Sequence, residues 1–242
     1  MYSELTNYGF GYLKSEEYDE AYKCFLEGSL QEDPIACICL GNMYLRGYYP
    51  KKDYKKAFSY YKHAFDLKND ESIAWDAIYF ITDQIQEIAK DKKAIELYVD
   101  YLNYLIEHEM WSICITLGAE YNYGLYIEKD VDKAIELYLM AAEHGIDYGY
   151  DCLGELYFEG DGIEKDYDKA YEYFQKSKGD YSNIKKYYYG EMYREGIIFE
   201  KNLDKAKEYY LMLANDKKNK EVGDLHYELA LDRLEVIEDE LL

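Results

Sequence analysis

Alanine recurs at Ala21, Ala57, Ala94, Ala134, Ala170 and Ala206, with spacings of 36, 37, 40, 36 and 36 residues along almost the whole chain. A fixed period of that size marks a repeat in which each unit is one supersecondary element. Such a unit cannot bury its apolar face alone, so neighbours must stack. This excludes folds built around one central core and points to proteins that bind other macromolecules.

Two further landmarks define the unit. Lysine precedes five of the alanines, as Lys56, Lys93, Lys133, Lys169 and Lys205, and glycine lies sixteen residues before four of them, at Gly41, Gly118, Gly154 and Gly190. The glycine has leucine before it and tyrosine three residues on, as in Leu40-Gly41 with Tyr44, Leu117-Gly118 with Tyr121, and Leu153-Gly154 with Tyr157; in the last unit Tyr189-Gly190 precedes Tyr193. That spacing places the large side chains on one side of a helix with a bare position between them. A mid-helix glycine costs about 1 kcal/mol against alanine, so its periodic return predicts a packing role.

Six residues later a second glycine, Gly47, Gly124, Gly160 or Gly196, is expected to end the first helix in the left-handed conformation. Asp53, Asp130, Asp166 and Asn202, each four residues before the alanine, are good caps for the start of a second helix. Its apolar face runs through alanine and the aromatics that follow, as in Ala57/Tyr60/Tyr61, Ala170/Tyr173/Phe174 and Ala206/Tyr209/Tyr210. The unit is two antiparallel helices of roughly 12 to 15 residues.

The run Leu153-Gly154-Glu155-Leu156-Tyr157-Phe158-Glu159-Gly160-Asp161-Gly162-Ile163-Glu164-Lys165-Asp166-Tyr167-Asp168-Lys169-Ala170 resembles the Sel1-like repeat (SLR), a branch of the tetratricopeptide superfamily. Ala141-Ala142-Glu143-His144-Gly145 ends a unit as that family does. The resemblance implies an all-α fold: an α-α superhelix (right-handed solenoid) of about six helix-turn-helix repeats plus a C-terminal capping helix. The repeats fall at about 2–33, 34–70, 71–107, 110–145, 148–179 and 181–215. With no Ser-, Gly- or Pro-rich linker, residues 1–242 are read as a single domain.

Two units depart from the pattern. In the first, Ala21 follows Gly9 by only twelve residues, which looks like an ordinary tetratricopeptide repeat with a short turn. The third has Asp76 in the leucine position and Asp83 for the loop glycine, so its register is open by one residue, and a longer first helix is expected through Ile81, Ile85 and Ile88. The capping helix, about 221–240, is expected through Leu225, Leu229 and Ile237, because the last repeat would otherwise expose its stacking face.

No apolar run is long enough to cross a membrane, and the residues after Met1 lack the pattern of a signal peptide, so the expected location is cytoplasmic. Five cysteines are an odd number for a disulfide framework. Some secreted members of the resembled family carry one disulfide per repeat. Here Cys37 and Cys114 share one repeat position and Cys39 and Cys152 another, where small residues pack, so they are read as buried thiols. Cys37-Ile38-Cys39 lacks a second pair or a histidine at ligand spacing, and neither metal nor cofactor is expected.

Fifty acidic against 28 basic residues give a net charge of -22, which disfavours nucleic acid as a partner. The repeated lysines are expected to coat the outer helices. The acidic body either favours a basic partner or serves solubility.

In the superfamily this chain resembles, the first helix of each unit lines a concave groove. The matching positions are Tyr148, Asp151, Glu155, Phe158 and Glu159 in the fifth unit, and Ile184, Tyr187, Glu191, Arg194 and Glu195 in the sixth. The fourth supplies Ser112, Ile115, Ala119, Asn122 and Tyr123, and the second Ile35, Ile38, Asn42, Leu45 and Arg46. Glu155 is equivalent to Glu191 and Glu159 to Glu195, so stacking predicts an acidic ladder flanked by aromatics. Tyr123, Tyr148, Asp151, Glu155, Phe158, Glu159, Tyr187, Glu191, Arg194 and Glu195 are the candidate partner-binding residues, with plain solvated helix surface as the alternative reading of the glutamates.

The four histidines, His63, His108, His144 and His226, sit in no catalytic motif and are read as capping or surface residues; phosphate loops and nucleophile elbows are absent. The sequence thus points to a non-enzymatic scaffold or adaptor that binds a protein or peptide, of basic character, with neither nucleic acid nor membrane as partner. One alternative, from the occurrence of such repeats among small bacterial proteins, is an immunity protein neutralising a co-encoded toxin. Another is a hydrolase of small polar substrates, which only isolated carboxylates favour.

Overall fold

The computed structural model describes residues 3–49, 51–178, 183–215 and 224–240. The expected first residues of the sixth repeat and of the last helix fall outside these. Fourteen helices and no strand occur among the described residues. They are α1 (Glu4–Lys14), α2 (Tyr18–Leu30), α3 (Pro34–Arg46), α4 (Tyr54–Lys68), α5 (Glu71–Asp83), α6 (Ile85–Ile88), α7 (Lys92–Glu107), α8 (Ile113–Tyr123), α9 (Val131–Glu143), α10 (Tyr148–Glu159), α11 (Tyr167–Lys176), α12 (Asn183–Glu195), α13 (Leu203–Ala214) and α14 (Leu225–Glu240). The chain is an all-α helical repeat protein. Its contacts group into two compact units, residues 1–113 and 114–242.

The link within each regular repeat follows from its capping residues. Gly47 and Gly160 end α3 and α10 at φ 74° and 67°, a region open to glycine at little cost. Asp53, Asp130, Asp166 and Asn202 then cap α4, α9, α11 and α13 by accepting from the backbone N–H of Lys56, Lys133, Lys169 and Lys205 at 2.9–3.1 Å. Their own N–H groups donate back to the carbonyls of Tyr44, Tyr121, Tyr157 and Tyr193 at 2.8–3.0 Å. The cap therefore starts one helix and ties it to the other.

The mid-helix glycine is filled from across the pair. A methyl group at Gly41, Gly118, Gly154 or Gly190 would run into the ring of Tyr61, Tyr138, Phe174 or Tyr210, the aromatic four residues after the repeat alanine. Those rings are buried, as are Ala57, Ala134, Ala170 and Ala206. Gly9 meets Phe25 in the same way, so the short first repeat keeps the contact despite its tighter turn.

The repeated lysines do more than coat the second helices. Lys56, Lys133, Lys169 and Lys205 lie over the rings of Tyr44, Tyr121, Tyr157 and Tyr193 with Nζ 4.1–5.0 Å from the centroids. In three repeats the other helix adds a second ring, giving the stacks Tyr44–Tyr60, Tyr157–Tyr173 and Tyr193–Tyr209 at 5.7–5.9 Å. Leucine stands at the corresponding Leu137 in the fourth repeat. Much of the tyrosine excess is thus internal to the repeats.

In the unit of residues 1–113, the third repeat replaces one long first helix with α5 and the single turn α6, broken at Gln84. Asp83 is drawn away by Arg46 of α3 at 2.5 Å, and Gln84 Nε2 donates to its carboxylate at 2.9 Å. The aspartate that replaces the loop glycine is therefore a cross-repeat ion-pair partner. All five cysteines are free thiols, and all but Cys24 are buried.

In the unit of residues 114–242, α10 packs on α9, α11 and α12, and α14 packs on α12 and α13. Helix α14 takes the place that the first helix of a further repeat would occupy. Ala230 and Ile237 join the same buried cluster as Leu153, Phe174, Met192 and Tyr210. No helix among the described residues is long and apolar enough to cross a membrane.

Candidate functional site

The expected groove positions of the second unit fall on α8, α10 and α12, and the structure separates them into two sets. Tyr123, at the end of α8, and Tyr148, opening α10, are 53% and 47% exposed. Both lie in the field of Glu155. Partial burial and then that carboxylate push the Tyr123 phenol up to about 12. Burial, Cys152 and Glu155 push Tyr148 in the same direction. Glu155 is mostly covered, its side chain keeping 19% of its surface, while Glu159 and Glu195 are exposed. Two half-open aromatic rings thus accompany a carboxylate, with further carboxylates on α10 and α12.

The other candidates are taken into the interior. Asp151, Phe158, Tyr187 and Glu191 are buried, and the Arg194 side chain retains little exposure. Glu191, 6% exposed, accepts from Tyr210 Oη at 2.7 Å, Arg194 Nη2 at 2.9 Å and Arg233 Nε at 2.8 Å. Burial alone would raise its pKa, but those hydrogen bonds and the two guanidinium charges hold it below its ordinary value. Arg194 also reaches Glu195 at 2.5 Å. The expected acidic ladder is therefore interrupted, because one rung is neutralised by arginines of its own helix and of α14 and accepts a hydrogen bond from α13.

Helix α14 supplies the side chains that sequence reasoning missed. His226, expected at the surface, is buried, with Nε2 3.6 Å from Glu155 Oε1 and its ring edge-on to Tyr187 and Tyr188. Tyr188 in turn donates to Glu159 at 3.0 Å. A signal was present: His226 and Arg233 are seven residues apart, hence on one side of a helix otherwise rich in acids. The remaining histidines, His63, His108 and His144, are exposed, and His108 and His144 bring Nδ1 to the carbonyls of Tyr104 and Met140 at 2.8 Å near helix ends.

In the first unit, Ile38 and Leu45 are buried and Arg46 is engaged by Asn42 and Asp83, while Asn122 of the second unit is also buried. Among the described residues no three His, Cys, Asp or Glu side chains converge as a metal site would need.

These repeats have known counterparts. The family described as Sel1 repeat matches residues 34–69, 114–146, 153–178 and 186–217, just over half of the chain, and the chain belongs to that family. Sel1 repeat proteins generally mediate protein–protein interaction and are typically non-enzymatic scaffolds. No curated protein matches the chain. Among solved structures, a Sel1 repeat protein from Oxalobacter formigenes is 25% identical over 85% of this chain and 82% of its own, with a TM-score of 0.51. A protective antigen of uropathogenic Escherichia coli strains displaying an SLR fold is 21% identical with a TM-score of 0.51; the match covers 86% of this chain but 44% of that protein, so it speaks to fold alone. An immunity protein from Pseudomonas aeruginosa is 18% identical over 79% of this chain and 72% of its own, with a TM-score of 0.40.

Proposed function

We propose that this chain is a non-catalytic scaffold that binds a protein or peptide of basic character, through Tyr123, Tyr148, Glu155, Glu159 and Glu195. The observation that carries the reading is the pair of half-exposed tyrosines accompanying the Glu155 carboxylate. Aromatic faces offer contact area and attract cations, while carboxylates steer and pair with them. The net charge of -22 adds a long-range pull on a basic partner. Glu191, buried and held ionised by three hydrogen bonds, is engaged in structure and is not poised as a general acid.

The test is affinity capture from the native cell extract at low and high salt, with three forms of the chain. A partner is expected on the unaltered chain, released as salt rises. Joint Tyr123→Ala and Tyr148→Ala is expected to weaken it by about ten- to a hundredfold, as for truncated aromatic anchors. Glu155→Lys with Glu159→Lys and Glu195→Lys is expected to abolish low-salt capture. Retention of the same partner by both variants would sink the proposal.

A further inference from the structure

Helix α5, the first helix of the irregular third repeat, is packed on one side. Ile73, Ala74, Ala77, Ile78 and Ile81 are buried where it lies on α3 and α4. The other side carries Trp75 and Tyr79, 40% and 68% exposed and one helical turn apart. Phe80, half-buried, meets the Tyr79 ring edge-on at 5.6 Å. Single exposed aromatics are ordinary, but a contiguous set marks an interaction surface.

Other repeats close this side. With Asp76 in the leucine position, Trp75 and Tyr79 match Cys39 and Met43 of α3, Cys152 and Leu156 of α10, and Tyr188 and Met192 of α12, all of them buried. The leucines that seal those helices, Leu40 and Leu153, are buried too, whereas Asp76 is exposed. An unpaired carboxylate resists burial, so this one substitution keeps the aromatic side of α5 in water.

The charge around it has one sign. Residues 69–89 contain Asp70, Glu71, Asp76, Asp83 and Glu87 and no lysine, arginine or histidine. Lysines and an arginine from beyond the segment are already engaged: Lys68 with Asp70 at 3.4 Å, Arg46 with Asp83 at 2.5 Å and Lys90 with Glu87 at 2.6 Å. Asp76 belongs to none of these pairs. A second copy of the chain would set acid against acid, and an anionic lipid surface would be repelled. Helix α14 shows how this fold covers an acidic first helix, since it lies on α12 with Ala230 and Ile237 in the core and Arg233 on Glu191.

We propose that the open side of α5 docks a basic amphipathic helix of a partner protein. Its aliphatic side chains sit on Trp75 and Tyr79, and its lysines or arginines face Asp76 and Glu71. This surface uses none of Tyr123, Tyr148, Glu155, Glu159 and Glu195, so either can fail while the other stands.

The full chain, with fluorotryptophan at Trp75 and Trp111, is titrated under fluorine NMR with a leucine–lysine peptide of about 18 residues, long enough to form an amphipathic helix. Trp75→Phe assigns the Trp75 line. That line is expected to shift and saturate. Tyr79→Ser should weaken binding about five- to thirtyfold, the scale of a truncated interface anchor. Asp76→Lys should weaken it about five- to tenfold at low salt and less at high salt. Both side chains are exposed, so Tm should hold, and joint Tyr123→Ala and Tyr148→Ala should leave the Trp75 shift intact. The proposal is overturned by no saturable Trp75 shift, by an equal response to a leucine–glutamate peptide, or by affinity untouched in both α5 variants. A Trp75 shift on concentrating the chain alone would assign the face to a second copy, and a larger shift with phosphatidylglycerol vesicles would assign it to lipid; each would overturn it as well.

Discussion

Glu155 and Glu191 occupy one position of consecutive repeats, 36 residues apart, and meet opposite surroundings. Glu155 keeps part of its surface, near two half-open tyrosines, with His226 at 3.6 Å. Glu191 is enclosed by Tyr210, Arg194 and Arg233. The side of the helix is the same for both. What differs is the next element, since α14 brings an arginine onto Glu191 whereas α12 brings a tyrosine to Glu155. Repeat position sets direction, and the following helix sets accessibility.

The sharpest way to break this comparison is to delete both carboxylates. Glu191→Ala leaves two arginines beside an emptied buried site and should cost about 3–5 kcal/mol in chemical denaturation of the full chain. Glu155→Ala removes a carboxylate with only long contacts, to His226 at 3.6 Å and Tyr188 at 3.4 Å, and should cost less, about 1–2 kcal/mol. Equal losses would mean that α14 does not distinguish the two.

Acid tests the same contrast. Folding holds Glu191 below its ordinary value of 4.5, so its contribution is complete above that pH and drains as pH falls through the lower folded value. Denaturation curves of the unaltered chain should therefore weaken below about pH 4.5 more steeply than those of Glu191→Gln. Parallel curves would show that the network is not what acid breaks.

Two smaller effects sharpen the comparison by showing what consecutive repeats share. Gly154→Ala and Gly190→Ala should each lower stability by about 1–3 kcal/mol, through overpacking against Phe174 and Tyr210. Gly11→Ala, where an added methyl meets nothing within 4 Å, should stabilise by about 0.5–1 kcal/mol in thermal melts. Asp166→Ala and Asn202→Ala, which remove equivalent caps, should each cost about 1 kcal/mol, and unequal losses would show that the two repeats are not equally built.

Most of the fold was legible because its determinants are local. The glycine that ends α10, the aspartate that starts α11 and the alanine that lets the helices meet act within one 36-residue period, so each appears as a spaced letter. The candidate site was legible only in part. Tyr123, Tyr148, Glu155, Glu159 and Glu195 keep an accessible surface, but Asp151, Phe158, Tyr187 and Glu191 do not. For Glu191 the distinction depends on Arg233, in a helix that matches no repeat, and for Phe158 on Tyr188 of the next repeat. The irregular third repeat shows the same limit: Asp83 reads as a lost glycine until Arg46, 37 residues earlier, is seen to hold it.

By itself the sequence determined the period, the helix pair, its caps and the aromatic packing around each bare glycine, because these are contacts between residues at constant separation. Only the tertiary structure decided which carboxylates stay open, that Arg46 holds Asp83 across two repeats, and that Arg233 of α14 reaches Glu191. Burial and charge compensation depend on what the next helix brings, and no single repeat encodes its neighbour.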